Sequence, residues 1–435
     1  MTALVMAAAG LWLTGALSKR VTPDPFIRIT LISSYLLKVG LTFALFYISL
    51  WKFPFMASHQ LGSGLWTFSW DAATYDLYGR QVAQALLSGK PLPVLNQEWP
   101  FDLYTGLIYA LFGPSPLHAA LLNAWYGTLA GIVAILLIKK STPDVRNLRI
   151  GIGLICLWPS SFLWSSQMLK ESLIILLLLT VFYLFVLLWE GESRLSFRSG
   201  FLWISIGFVL FILMFLRIYL GLILAVCGSM MLGIEGVRAA RRRNLDNSIK
   251  AAGLAAVLLL AILWGDYAIL PKVFAGSHSG FVGTIEHRLP EYLGLIRDGM
   301  IREKGQATLD LNVHVRTWVE IIRYLPRGLS IFFLSPFPCD WLGSFQRGAL
   351  QLFAVAEVIL IYLLLPFYAI AAAAGVRSRQ VQNRLLVFCA VLLSALLCVT
   401  IPNVGTIFRL RLQVLTLLIV LAASTESFPA WGRTR

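Results

Sequence analysis

Long apolar runs separated by short polar gaps set the pattern of this chain. The runs cover residues 3–18, 27–50, 115–138, 149–166, 172–190, 200–216, 218–236, 250–270, 350–372, 384–401 and 408–424. About 20 helical residues suffice to cross a bilayer core. In hydrocarbon every backbone N–H needs an internal partner, which leaves helices or a closed barrel. Barrel strands alternate with period two, and a run such as Ser172 to Trp189 shows no alternation. The pattern predicts an all-α integral membrane protein, a polytopic bundle of about 10 to 12 spans. It forms a single transmembrane domain over residues 1–435.

Two gaps are too long for turns, 51–114 and 271–346. Both hold amphipathic stretches with aromatic residues, Tyr75 to Leu87 in the first and Trp318 to Phe333 in the second. Such helices lie in the membrane interface.

Composition agrees with the pattern: 58% of the 435 residues are hydrophobic and 13% charged. The net charge of +15 would suit nucleic acid, but its placement points elsewhere. The cations cluster in alternate short gaps: Lys19 and Arg20; Lys139, Lys140, Arg146 and Arg149; Arg194 and Arg198; Arg238 and Arg241 to Arg243; Arg377, Arg379 and Arg384. Basic short loops mark the cytoplasmic side and meet anionic lipids. The partners implied are membrane lipids and no nucleic acid, and the two long gaps then face the periplasm of a bacterial inner membrane. Met1 to Leu17 lacks a basic leader and reads as a first span with its N-terminus outside. Cys156, Cys227, Cys339, Cys389 and Cys398 follow neither disulfide nor metal spacing and read mostly as small core residues.

Candidate chemistry begins in the first long gap. In Trp70 to Tyr78, a helix would place Asp71, Tyr75 and Tyr78 on one face. Asp71 there is either a functional carboxylate or a helix N-cap. Asp76 stands four residues before Arg80, the spacing of a plain ion pair. Lys170, Glu171, Arg217, Arg409 and Arg411 fall at the outer ends of spans, against the positive-inside trend. A lipid-linked phosphate is one partner for such cations. Snorkelling to headgroups, or a solvated Lys170–Glu171 turn, is the other reading. Glu357 lies inside a span, where a carboxylate is either functional or paired with an Arg or Lys. His278, His287 and His314 share no metal spacing and read as loop residues, and Arg288 is a further phosphate candidate. No nucleotide loop, zinc-hydrolase or CxxC pattern is present. No cofactor is implied, with a divalent metal left open.

A familiar order of features runs through these residues: Asp71, Tyr75, Ser88-Gly89-Lys90, the apolar Gly106 to Phe112, Gly113-Pro114-Ser115, and the basic-ended run Leu117 to Lys140. It resembles the start of GT-C glycosyltransferases that use polyprenyl-phosphate sugars, the protein O-mannosyltransferases and the aminoarabinose transferases of lipid A. Trp158 to Ser161 through Lys170-Glu171 resembles their proline-bearing span and charged turn. Leu216 to Tyr219 and Asn403 to Arg411 are similar to their later outer turns. The resemblance implies a catalytic carboxylate at Asp71, with Tyr75, Tyr78, Lys170, Glu171, Arg217, Tyr219, Arg409 and Arg411 toward substrate. The family's second acid falls at Ala72 here, so Glu98 or Asp102 would have to supply it. The expected function is transfer of a sugar from a polyprenyl-phosphate donor to a glycan, lipid or protein acceptor on the periplasmic face. The rivals are a polysaccharide polymerase or ligase and a non-enzymatic lipid-linked-sugar flippase or transporter. A transporter would bury paired charges near the bilayer midplane, for which only Lys38 and Glu357 stand out.

Overall fold

A computed structural model describes residues 1–93, 99–190, 197–241, 288–302, 308–341 and 349–428. Among them, eight helices are long and apolar enough to cross a membrane, and one bent pair makes a ninth if it is a single span. The protein is a multi-pass helical membrane protein. Its chain divides into two compact units, Met1–Leu184 with Phe215–Arg217, and Phe185–Met214 with Ile218–Arg435. The span expected over 250–270, together with Glu98, His278 and His287, lies outside the described residues.

The first unit opens with α1 (Thr2–Val21) and α2 (Pro25–Leu50), which pack together and against α5 (Pro116–Ser141). Asp24 starts α2, its Oδ1 accepting from the backbone N–H of Phe26 at 2.9 Å, with Pro25 at the first helical position. Tyr35, Val39, Leu117, Leu121 and Ala124 form the seam, and Tyr35 donates to the Ala7 carbonyl at 3.0 Å. Large apolar side chains such as Leu4, Trp12, Ile29 and Leu37 stay exposed on these helices, as lipid-facing residues do.

After α2 a short hairpin, β1 (Gln60–Gly62) against β2 (Leu65–Trp66), departs from the all-helical expectation. It ties the loop down: Trp66 Nε1 donates to the Leu45 carbonyl at 3.1 Å and Ser49 Oγ to the Leu65 carbonyl at 2.7 Å. Next come α3 (Trp70–Ser88) and α4 (Trp99–Phe112), neither long and apolar enough to span. They meet closely because a Cβ on Gly79 would stand 2.5 Å from Thr105, and one on Gly106 2.3 Å from Val82.

The run 149–166 is not the continuous span expected. It is α6 (Val145–Leu157) and α7 (Pro159–Ser165), bent by 46°. Pro159 has no N–H for the carbonyl four residues back, and its ring disfavours helix at Trp158. Then α8 (Glu171–Glu190) begins in this unit.

Sidedness inside the first unit follows the charge pattern. Lys139 Nζ donates to the Val21 carbonyl at 3.0 Å, and Arg149 pairs with Asp24 at 2.9 Å. The first two basic gaps therefore share one end. At the other end Ser69 Oγ donates to Gln167 Oε1 at 3.2 Å, joining the long gap to the 166–171 turn.

The second unit contains the end of α8, α9 (Phe197–Leu216) up to Met214 and α10 (Ile218–Arg241), then α11 (Leu289–Arg302), α12 (Trp318–Leu334), α13 (Ala349–Arg377), α14 (Val381–Thr400) and α15 (Val404–Ser424). The amphipathic stretch at 318–333 is α12, opened by a reciprocal cap between Thr317 and Glu320. It packs on α14, which also carries α10, α11 and α15. Arg384 pairs with Glu235, placing the α13–α14 turn beside the end of α10. At the far end of α14, the backbone N–H of Leu309 donates to the Pro402 carbonyl at 3.0 Å. Cys156, Cys227, Cys389 and Cys398 are buried, while Cys339 is exposed and no core residue.

Candidate functional site

In the first unit, the start of α3, the body of α4 and the 166–171 turn gather most of the residues singled out by sequence. Asp71 is the second residue of α3, half-buried; Ser69 is the cap position, so Asp71 is not the N-cap. An acid in the first turn still favours the helix dipole, by about 0.3–1 kcal/mol. Tyr75, one turn on, is fully buried and sets its ring 4.6 Å from Phe101, edge to face. Lys170 Nζ lies 5.9 Å from the centre of the Tyr75 ring. Tyr75 is thus a link between Asp71's helix and Lys170, not an open wall, while Tyr78 is half-buried.

Lys170 and Glu171 are only 2% and 1% exposed, which removes the solvated-turn reading. Asn123 holds the turn, donating to the carbonyls of Trp164 and Gln167 at 2.9 and 2.8 Å. Arg217 lies between α9 and α10 and gives Nη2 to Glu171 Oε1 at 3.1 Å. The cation expected to meet a phosphate thus has a buried carboxylate at hand. Asp102, in the first turn of α4, is fully buried. The unit therefore has a partly exposed carboxylate, Asp71, one turn from the buried Tyr75, with Lys170 against the Tyr75 ring and Glu171 paired to the half-buried Arg217.

Asp76 makes the ion pair its spacing predicts, Arg80 Nε to Oδ2 at 2.9 Å. Its other oxygen accepts from Tyr109 Oη at 2.6 Å. Burial first, and the Asp76 carboxylate second, push the Tyr109 hydroxyl well above the usual range, so it stays a donor. Both Asp76 oxygens are engaged, and Asp76 is structural.

In the second unit Arg411 is completely buried and pairs with Glu357, also completely buried, at 3.0 Å. Its Nη1 donates to the carbonyls of Phe332, Phe333 and Ser335 at 3.2, 3.4 and 3.0 Å. Arg411 is therefore not a phosphate ligand: its fork is consumed inside the protein. Glu357 takes the structural alternative and gives this unit the buried charge pair that the sequence did not reveal. Arg409 is half-buried near the start of α15, and Tyr219 reaches Gln413 of α15 at 3.4 Å. His314 is half-exposed and gives Nδ1 to Asp298 at 2.9 Å; Arg288 immediately precedes α11 and is half-buried.

Sequence reasoning passed over Arg297, fully buried and bonded to the carbonyls of Val313, Val399 and Asp310 and to Tyr324 Oη. Its signal was there: Pro290, Leu293, Gly294 and Arg297 share the buried face of α11. Asn123 and Gln167 were missed because single amides in apolar runs carry no spacing. Among the described residues no three His, Cys, Asp or Glu gather as a metal site. No protein-family model and no curated protein matches this chain.

Proposed function

We propose that the protein is a membrane glycosyltransferase of GT-C type. It moves a sugar from a polyprenyl-phosphate donor to a glycan, lipid or protein acceptor on the periplasmic face. The observation that carries the reading is Asp71: a half-exposed carboxylate opening α3, one turn from Tyr75, over which Lys170 is buried. A hydroxyl is a weak nucleophile at neutral pH, and a placed carboxylate that takes its proton contributes about 10²–10⁴-fold. As the acceptor oxygen attacks the anomeric carbon, the bond to the lipid phosphate breaks and charge grows on the phosphate. Fixed cations aimed at developing charge are worth about 3–4 kcal/mol. Lys170 and Arg217 fill that role in the first unit, and Arg409 is the candidate in the second.

Asp71→Asn tests this directly. Asn keeps the size of Asp and an oxygen acceptor at this position, so the variant should insert and fold. Its transfer of sugar from a purified donor falls below about one per cent of wild type. Substantial transfer by a folded Asn variant removes Asp71 as the base. The buried Arg411–Glu357 pair favours one second reading, a lipid-linked-sugar transporter, since transporters keep paired charges within the membrane. Mass spectrometry of glycans and lipid-linked sugars in a deletion strain separates the readings. A missing terminal residue marks a transferase, shortened chains a polymerase, and an accumulated, unprocessed lipid-linked sugar a transporter.

A further inference from the structure

The face of α3 turned away from Asp71 carries chemistry that sugar transfer does not use. Arg80 lies nine residues past Asp71, roughly two and a half turns on, hence on the opposite face and about 13.5 Å along the axis. Asp76 holds Arg80 by Nε alone, and the guanidinium carbon stands 5.8 Å from the centre of the Tyr109 ring. Tyr109 in turn occupies the second oxygen of Asp76. The fork is thereby fixed, and Nη1 and Nη2 have no acceptor among the described residues.

Those two groups border a cavity of about 440 Å³, with Arg80, Ala83, Gln84 and Leu87 along one wall and Tyr109 and Pro114 on the other. That volume is within the range of small-molecule sites. Arg80 to Leu87 spans about 10 Å of helix, charged at one end and apolar at the other. Around it Leu77, Leu87 and Leu111 are 56%, 72% and 76% exposed, as on a helix pair lying in the membrane interface.

We propose that this cavity binds an anionic membrane phospholipid, its phosphate on the Arg80 fork and the start of its acyl chain along Ala83 and Leu87. Guanidinium has donors and no acceptor, and it matches phosphate bidentately. Inorganic phosphate would leave the apolar wall bare, and a hydrocarbon chain alone would leave Nη1 and Nη2 unbonded. An amphiphile satisfies both ends. The distance and the opposite face separate this phosphate from any that reacts at Asp71, so the site does not depend on the transferase reading. Asp76 cancels part of the charge of Arg80, which puts the affinity in the hydrogen-bonded fork together with the apolar wall.

The test is lipid retention by the purified full chain, read by native mass spectrometry. Phosphatidylglycerol, phosphatidylcholine, undecaprenyl phosphate and inorganic phosphate are added separately and in competition. Wild type should hold one phosphatidylglycerol in preference to phosphatidylcholine, and Arg80→Gln should lower retention at least tenfold. Arg80→Lys should fall between, because the point charge remains and the fork is lost. Leu87→Glu leaves the ion pair intact at an exposed position and should also abolish retention, which decides the matter if Arg80→Gln fails to fold. Unchanged retention in Leu87→Glu and a folded Arg80→Gln overturns the site. So does equal retention of phosphatidylcholine, or binding of inorganic phosphate alone. Displacement by undecaprenyl phosphate at lower concentration overturns the assignment by giving the cavity to the polyprenyl lipid.

Discussion

The two units treat their buried cations differently. In the second, Arg297 and Arg411 each spend their donors on several carbonyls together with a carboxylate or a tyrosine hydroxyl. In the first, Lys38 is completely buried with no acceptor for its Nζ among the described residues, only the Phe162 ring at 5.8 Å. Arg80 is held by Nε alone. A cation whose Nη groups are taken up by several acceptors of its own protein is holding the fold, however unusual its position in a span. One with donors to spare is where a ligand can enter. The second unit is thus braced by Arg297 and Arg411, while the first holds the Nη groups of Arg80 and the amine of Lys38 in reserve.

The largest effect that sharpens this contrast is at Arg411. Removing one partner of a buried pair strands the other charge and costs about 3–5 kcal/mol. Arg411→Ala should therefore fail to give a monodisperse protein in detergent. Arg411→Met combined with Glu357→Leu removes both charges and should restore folding with transfer activity kept, since well-packed apolar replacements of buried pairs are near neutral. A folded but inactive double variant would return Arg411 to the catalytic or transport machinery.

At Arg217 the same pair of experiments should split the other way. Arg217→Ala removes an ion-pair partner of the buried Glu171 and should lower the melting temperature. Arg217→Met with Glu171→Leu should recover the melting temperature while turnover stays about 10²–10³-fold down, the loss expected for a cation aimed at developing charge. Recovery of both makes Arg217 a brace like Arg411.

The smallest effect is at Lys38. A buried donor without an acceptor costs about 1–3 kcal/mol. Lys38→Met keeps the unbranched stem, drops the amine and should raise the melting temperature. A fall would mean that Lys38 has a partner in the folded protein and belongs with Arg297 and Arg411.

Much of this was legible in the residues. Apolar runs mark spans because the bilayer leaves few alternatives, and basic gaps fall on one end of each unit where contacts fix them, at Lys139 with Val21 and at Arg384 with Glu235. Asp76 and Arg80 pair because four residues bring them to one side of a helix. Where partners lie far apart in the chain the pattern is silent. Nothing in α13 or α15 alone couples Glu357 to Arg411, 54 residues on. The burial of Lys170 and Glu171 was equally hidden, because their turn is held by Asn123, 44 residues before Gln167. At Trp158-Pro159 the signal was present, but composition carried the span straight across it.

That break also bears on how the protein is made. At 13 residues α6 is about 20 Å long and α7 is shorter still, so neither reaches across a bilayer core of about 30 Å. The carbonyl of Cys156 finds its donor in Ser34 of α2 at 2.9 Å, and a Cβ on Gly131 of α5 would meet Cys156 Sγ at 2.8 Å. Lipid offers no such donor and no such fit. The break in the span is therefore accommodated by α2 and α5, and Gly131→Leu, which crowds Cys156, should lower the yield of inserted protein before it touches catalysis.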